Sequence, residues 1–319
     1  MWRLRHQLKS FIRSFFEARS YIEVDTPILV RCPGSEVHLD YFETNWVDAD
    51  GKSTHLYLRS SPELHMKQLL SEENRIYQFA KSFRNNGEMS LWHHPEFLML
   101  EWYEADVSFE KFITQSYTLI SEAERFFYDS GKISNMCFQT FECFSVFEAF
   151  KEFVGIDLVD QDPNLATKAI GAGNISVKLD DDFETVFFKV MLDQIEPAFK
   201  KLKAVVLYDY PISQSALAKI GSGVSKRFEI YLHGIEICNG YDELVDVREN
   251  KARFDNTINI RKTLGKSLPP FDEYFYDALM RGVPDCCGNA MGFDRLLASL
   301  LGQNDIENIL PFRQQIHSR

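Results

Sequence analysis

Two aromatic-rich stretches, IYQFAKSFR at 76–84 and FLMLEWY at 97–103, constrain the fold most. They are joined by a polar loop, NNGEMSLWHHPE, not by a segment long enough for a crossover helix, so they pair as antiparallel strands. Side chains alternate along a strand. That places Gln78, Ala80, Ser82 and Arg84 on one side and Tyr77, Phe79, Lys81 and Phe83 on the other. On the returning strand the same count separates Phe97, Met99, Glu101 and Tyr103 from Leu98, Leu100 and Trp102. The polar side lines a cleft, or else the hairpin is half-solvated with an incidental Arg84–Glu101 ion pair.

Two further runs, 227–232 and 235–239, are also short, aromatic or β-branched, and joined by His233-Gly234. Together these strands predict an α+β fold with a mainly antiparallel sheet flanked by helices. Helical spacing of Leu4, Leu8, Phe11, Ile12 and Phe15 predicts a first helix ending near Arg19-Ser20, followed by the extended YIEVDTP. Residues 33–62 read as strands separated by turns, including Asp48 to Gly51. Ser61 before Pro62 opens a helix reaching Leu70. Residues 107–129, 144–154 and the stretch around 183–200 carry helical periodicity, so we expect one domain, 1–319, with a helical insertion at about 107–200.

A chain with 45% apolar and 14% aromatic residues builds a substantial core, and a net charge of −12 argues against broad binding to nucleic acid or anionic membrane. The six cysteines have no metal-type spacing, and no apolar run approaches the ~20 residues of a membrane-spanning helix. A cytoplasmic protein is expected.

With a two-residue turn at His233-Gly234, Leu232 pairs with Ile235, Tyr231 with Glu236 and Glu229 with Cys238. Glu229 and Glu236 then share a face, roughly 7–8 Å apart. The pair is either a Mg²⁺–nucleotide site or a solvated edge. Near the end, Gly288 and Gly292 allow close approach of backbone to a ligand, and Asp294 and Arg295 sit where an apolar helix begins. Gly221 to Lys226 looks like a phosphate loop, but lacks the spacing and precedes a strand. No nucleophile triad is readable, and His93-His94 belongs to a polar loop.

In order along the chain, the first helix with YIEVDTP, then FRN…HHPEFLMLEWY, then GNAMGFDRLL resemble motifs 1, 2 and 3 of class II aminoacyl-tRNA synthetases. RSSPELHMKQLL and GIEICNGYDEL resemble the lysyl subgroup. The chain starts at motif 1, with no anticodon-binding domain ahead of it, so it is not expected to charge tRNA efficiently. The pattern is similar to the elongation factor P–(R)-β-lysine ligase family, a resemblance favoured by Ala290 at the middle position of motif 3 and by Ser213-Gln214 in YPISQSALAKI.

That resemblance implies ATP and Mg²⁺, (R)-β-lysine or lysine, elongation factor P as acceptor, and a homodimer through motif 1. It implies that Arg84 grips the α-phosphate, Phe97 stacks on adenine and Arg295 covers the other side of the nucleotide. Glu229 and Glu236 match the metal carboxylates, with Ile237 beside adenosine and Gly292 under it. Ser61, Glu63, Tyr103 and Glu243 match amino-acid contacts, Glu101 helps bind an amino group, and Ala290 reshapes the pocket floor. His94 stands where the family has an asparagine that contacts ATP. Motif 2 carries one extra residue, so either Glu88 or Asn86 serves the adenine amino group.

Overall fold

A computed structural model of the chain describes residues 1–87, 90–173 and 175–312. Two compact units emerge, Met1–Ser108 with Glu243–Arg319, and Phe109–Asp242. In chain order the first unit opens with α1 (Trp2–Glu17), β1 (Ile22–Glu23), β2 (Leu29–Val30), β3 (Phe42–Val47), β4 (Ser53–Leu58), α2 (Glu63–Leu69), β5 (Arg75–Phe83) and β6 (Glu96–Ala105). The second runs through α3 (Phe109–Asp129), β7 (Glu142–Ser145), α4 (Val146–Val154), α5 (Leu165–Ala172), α6 (Phe183–Val190), a π-helical turn, α7 (Glu196–Leu202), β8 (Ala204–Tyr210), β9 (Ile220–Gly221), β10 (Val224–Leu232) and β11 (Ile235–Asp242). The first unit resumes with α8 (Val247–Thr263), α9 (Glu273–Gly282), β12 (Cys286–Gly292) and α10 (Phe293–Leu300).

The expected α+β class holds. Within the first unit the order is β1-β5-β6-β12, antiparallel except for β1 with β5. Within the second it is β11-β10-β8-β7, antiparallel except for β7 with β8. Helix α1 explains why only one face of β5–β6 is left for chemistry. Its apolar stripe, Leu8, Ile12, Phe15 and Phe16, is buried. Phe16 stacks on Tyr77 with centroids 4.7 Å apart and lies 5.5 Å from Trp102. Tyr77 and Trp102 are cross-strand partners on the face predicted to be apolar. The half-solvated alternative fails, because β6 is buried from Leu98 to Ala105 on both faces.

The second unit has its own core. Phe150 stacks on Phe187 and Phe199 packs edge-on to Tyr231, so α4, α6 and α7 cover the β8–β10 sheet. The supposed phosphate loop is a β-hairpin turn, with Ser222 and Gly223 at φ 53° and 80° between β9 and β10. Among the described residues no helix is long and apolar enough to cross a membrane.

Candidate active site

The paired register of three strands builds a polar face in the first unit. Gln78 faces Glu101, Ala80 faces Met99 and Ser82 faces Phe97, while β12 adds Gly288 opposite Tyr103, Ala290 opposite Glu101 and Gly292 opposite Met99. The segment ahead of Arg295 is therefore a strand. A glycine at every other position on one face leaves room that side chains would fill.

At one end of this face lies a buried charge cluster. Lys67, on α2, is fully buried and places its Nζ 2.7 Å from Glu63 and 2.6 Å from Glu243. Burial works against its ammonium, but the carboxylates of Glu243 and Glu63 outweigh that and raise its pKa well above the ordinary lysine value. Glu101 is 1% exposed, and its Oε1 accepts a 2.6 Å hydrogen bond from Tyr103. Its carboxyl is pushed up to about 8, first by burial and then by Glu63, with the Tyr103 hydrogen bond and Lys67 opposing. The Tyr103 phenol is raised as well, by burial and by Glu101. Glu243 and Tyr103 meet over Gly288, where a Cβ would lie 2.3 Å from each.

Ser61 does not cap α2 as expected. Pro62 occupies the cap position, and Ser61 Oγ accepts from the Glu63 amide at 3.2 Å, which fixes the turn that presents Glu63.

A folded carboxyl with a raised pKa makes stability fall with pH. The native state holds the Glu101 proton that the unfolded chain has lost above about pH 4.5, so stability declines from there to about pH 8 and then levels off. Glu101→Gln should remove this decline: in urea melts, the variant's advantage over the parent should grow from pH 5 to 8. A constant difference would contradict the assignment.

At the other end of the face the guanidinium groups border the β5–β6 connection. Arg84 follows β5, its amide donates to Pro95 O, and its guanidinium lies 5.2 Å from the Phe97 ring centroid. The incidental ion pair with Glu101 is replaced by other company: Arg84 faces Glu36, whose carboxyl burial raises and Arg84 lowers, and Glu101 is engaged by Tyr103. Arg295 donates from Nε to Trp92 O at 3.2 Å and places Nη2 2.9 Å from His93 Nε2. His93 is thus part of how Arg295 is held, which reading it as mere loop missed. His94 binds Glu96 O through Nδ1, while its buried Nε2 has no partner among the described residues. Asn86 donates to Asp40, and Glu88 lies outside the described residues.

Two supports were not legible. Asp294, 3% exposed, pairs with the buried Arg5 of α1, and its other oxygen accepts from Leu98 N at 2.8 Å, fixing the start of α10 and hence Arg295. Arg261 of α8, fully buried, donates to the carbonyls of Glu36, Val37 and Leu39, pinning the loop that carries Glu36.

In the second unit the β10–β11 turn forms at His233-Gly234, both with positive φ, and Tyr231 pairs with Glu236 as expected. The next expected pair is wrong. Glu229 faces Asn239, not Cys238, because a bulge leaves Ile237 unpaired between Glu236 and Cys238. One residue of β11 then has no counterpart on β10 at that point, and Glu229 and Glu236 remain on one face. Glu229 is held by Arg227 and Tyr231, and Arg227 also donates to Asn239 at 3.2 Å. Burial opposes the Arg227 charge, and Glu229 raises its pKa. Among the described residues no group of three or more His, Cys, Asp or Glu could hold a metal by itself. Two carboxylates suit a hard cation that brings further oxygens, as Mg²⁺ on a nucleotide does.

The family profile described as tRNA synthetases class II (D, K and N) matches residues 1–315. The chain is similar to the Elongation factor P--(R)-beta-lysine ligase of Buchnera aphidicola subsp. Schizaphis graminum, 37% identical over 97% of this chain and 94% of the relative. It is 35% identical to the protein of that name from Buchnera aphidicola subsp. Acyrthosiphon pisum (strain APS), and 33% to that from Salmonella arizonae, each over 97% of this chain and 93% of the relative.

Proposed function

We propose, since the chain belongs to the tRNA synthetases of class II (D, K and N), that it is an ATP-dependent ligase activating (R)-β-lysine and transferring it to a lysine side chain of elongation factor P. The names of its relatives support the substrate and acceptor. The observation that carries the amino-acid half is the cluster of buried Glu101 and Glu243 with the partly exposed Glu63, three carboxylates against the single buried ammonium of Lys67, which suits a substrate bearing two ammonium groups. Ala290 stands directly opposite Glu101 and is the residue that shapes the pocket beside it.

In the first step a substrate carboxylate oxygen attacks the α-phosphorus of ATP, forming the aminoacyl-adenylate as pyrophosphate leaves. In the second, an acceptor lysine amine attacks the acyl carbon, AMP leaves and the amine proton passes to solvent. Arg84 holds the α-phosphate and offsets charge developing on it, and Arg295 holds the triphosphate tail. Phe97 stacks on adenine, with Ile237, Gly292 and His94 as the other nucleotide contacts, and either Glu88 or Asn86 serves the adenine amino group. Glu229 and Glu236 are the residues that would hold Mg²⁺, which offsets phosphate charge when bound. Ser61, Glu63, Tyr103 and Glu243 orient the amino acid.

Labelled (R)-β-lysine and α-lysine, each offered with elongation factor P and tRNA(Lys) side by side, test the reading. Label from (R)-β-lysine should appear on elongation factor P. Preferential transfer to tRNA, or equal or better exchange with α-lysine, would reject it. The same reading makes the enzyme a homodimer through the motif 1 region, where Ile22 of β1 is exposed, as are Ile28 and Leu29 just beyond it. Sedimentation should give a dimeric mass, and a monomer at micromolar concentration would remove that part.

A further inference from the structure

Among the described residues, two features of the amine end remain unexplained by binding roles alone: a lysine with no access to solvent, and a carboxylate oxygen, Glu101 Oε2, buried without a hydrogen-bond partner. Glu63 and Glu243 share Lys67, so one ammonium offsets part of both their charges. Glu101 has no such cation. Arg59 contributes attraction, but its Nε donates to Lys81 O and its Nη1 to Thr26 and Pro27. From β5 the facing residue is Gln78 and from β12 Ala290, neither titratable. Glu101 and Glu243, both buried, and the partly exposed Glu63 cannot all be ionised around one ammonium without cost.

We propose that Lys67 is a positioning residue that assigns the three carboxylates different tasks, holding Glu63 and Glu243 ionised and leaving Glu101 to exchange a proton for a substrate ammonium. The inference rests on the amino-acid reading above. In the exchange, the O–H bond of the Glu101 carboxylic acid breaks, its proton goes to solvent, and the carboxylate accepts a hydrogen bond from the incoming ammonium, which keeps its own protons. The charge of the buried cluster becomes one unit more negative as a cation arrives, so the site stays near balance. An amino acid with a single ammonium group lacks the group that drives the proton off, and selectivity for a diamine follows.

Calorimetric titration of the whole protein with each lysine isomer, in buffers of differing ionisation enthalpy, counts the protons released. With Glu101 titrating at about 8, release should be about nine-tenths of a proton at pH 7 and about a quarter at pH 8.5. Glu101→Gln should release almost none and bind tenfold or more weakly. Lys67→Met should change the count from the parent's, because the cation shared by Glu63 and Glu243 is gone. A lysine that merely supports the fold would leave the count unchanged.

Binding with no release at pH 7, or a count that does not fall by pH 8.5, overturns the proposal even if Lys67→Met fails to fold. Binding and release with no transfer to elongation factor P would leave it standing and reject the acceptor. Failure of both isomers to bind would overturn it together with the amino-acid reading.

Discussion

Arg84→Ala should lower ATP–pyrophosphate exchange by three orders of magnitude or more while leaving the melting temperature within about 2 °C of the parent. A single preorganised donor to a developing oxyanion is worth about 10²–10³ in rate, and an arginine placed on a transferring phosphoryl group about 10³–10⁵. The side chain is set for that duty and for little else. Its backbone is tied to Pro95, its guanidinium rests over Phe97, and its buried Nε has no partner among the described residues. A buried N–H donor left unmatched costs free energy in the protein alone, which makes sense where a ligand supplies the acceptor. Arg84→Lys should recover only a small part of the activity, since an ammonium cannot replace the planar fork. Exchange within tenfold of the parent in Arg84→Ala would detach this residue from the chemistry.

The parts of the site readable from sequence were those governed by short-range rules. Period-two alternation assigned Gln78, Ser82, Phe97, Glu101 and Tyr103 to one face, and the strand register agrees. The His233-Gly234 turn was equally local. What failed was a one-residue irregularity: the bulge at Ile237 moved Glu229 opposite Asn239, and alternation carries no signal for an inserted residue. Long-range pairings were also invisible. Arg5 and Asp294 lie 289 positions apart, and Arg261 reaches Glu36 across 225, so neither could be told from an ordinary surface charge. Lys67 sits on a helix whose sequence, ELHMKQL, would place a lysine in solvent by habit. Only folding shows that two glutamates from separate segments meet at its Nζ. Helices α8 and α9 escaped notice for another reason: α8 buries just Asn250 and Arg261 and so has no apolar stripe to detect, while α9 is a short segment between loops.

Gly288→Ala should separate the two ends of the site more cleanly than any charge substitution. Gly288 lies on β12 opposite Tyr103, and a Cβ there would stand 2.3 Å from Glu243 Oε1 and 2.3 Å from Tyr103 Cε1. Both neighbours are buried, at 1% and 2% exposure, and both are held by other groups, Glu243 by Lys67 and Tyr103 by Glu101. Neither can swing into solvent to make room, so relief must come from displacing the amine-binding side chains themselves. Overpacking of this kind costs about 1–3 kcal/mol, which a urea melt would register without loss of the fold. We expect the KM for the amino acid to rise a hundredfold or more, with the KM for ATP nearly unchanged. Gly292→Ala supplies the matched comparison four residues along the same strand, on the same face. Its Cβ would meet Arg295 Cβ at 3.5 Å, an ordinary contact, so this variant should fold as the parent does and raise the KM for ATP instead. The opposite pattern, with Gly288→Ala sparing the amino acid or Gly292→Ala sparing ATP, would mean that the polar face is not divided between amine and nucleotide in the order the strands present.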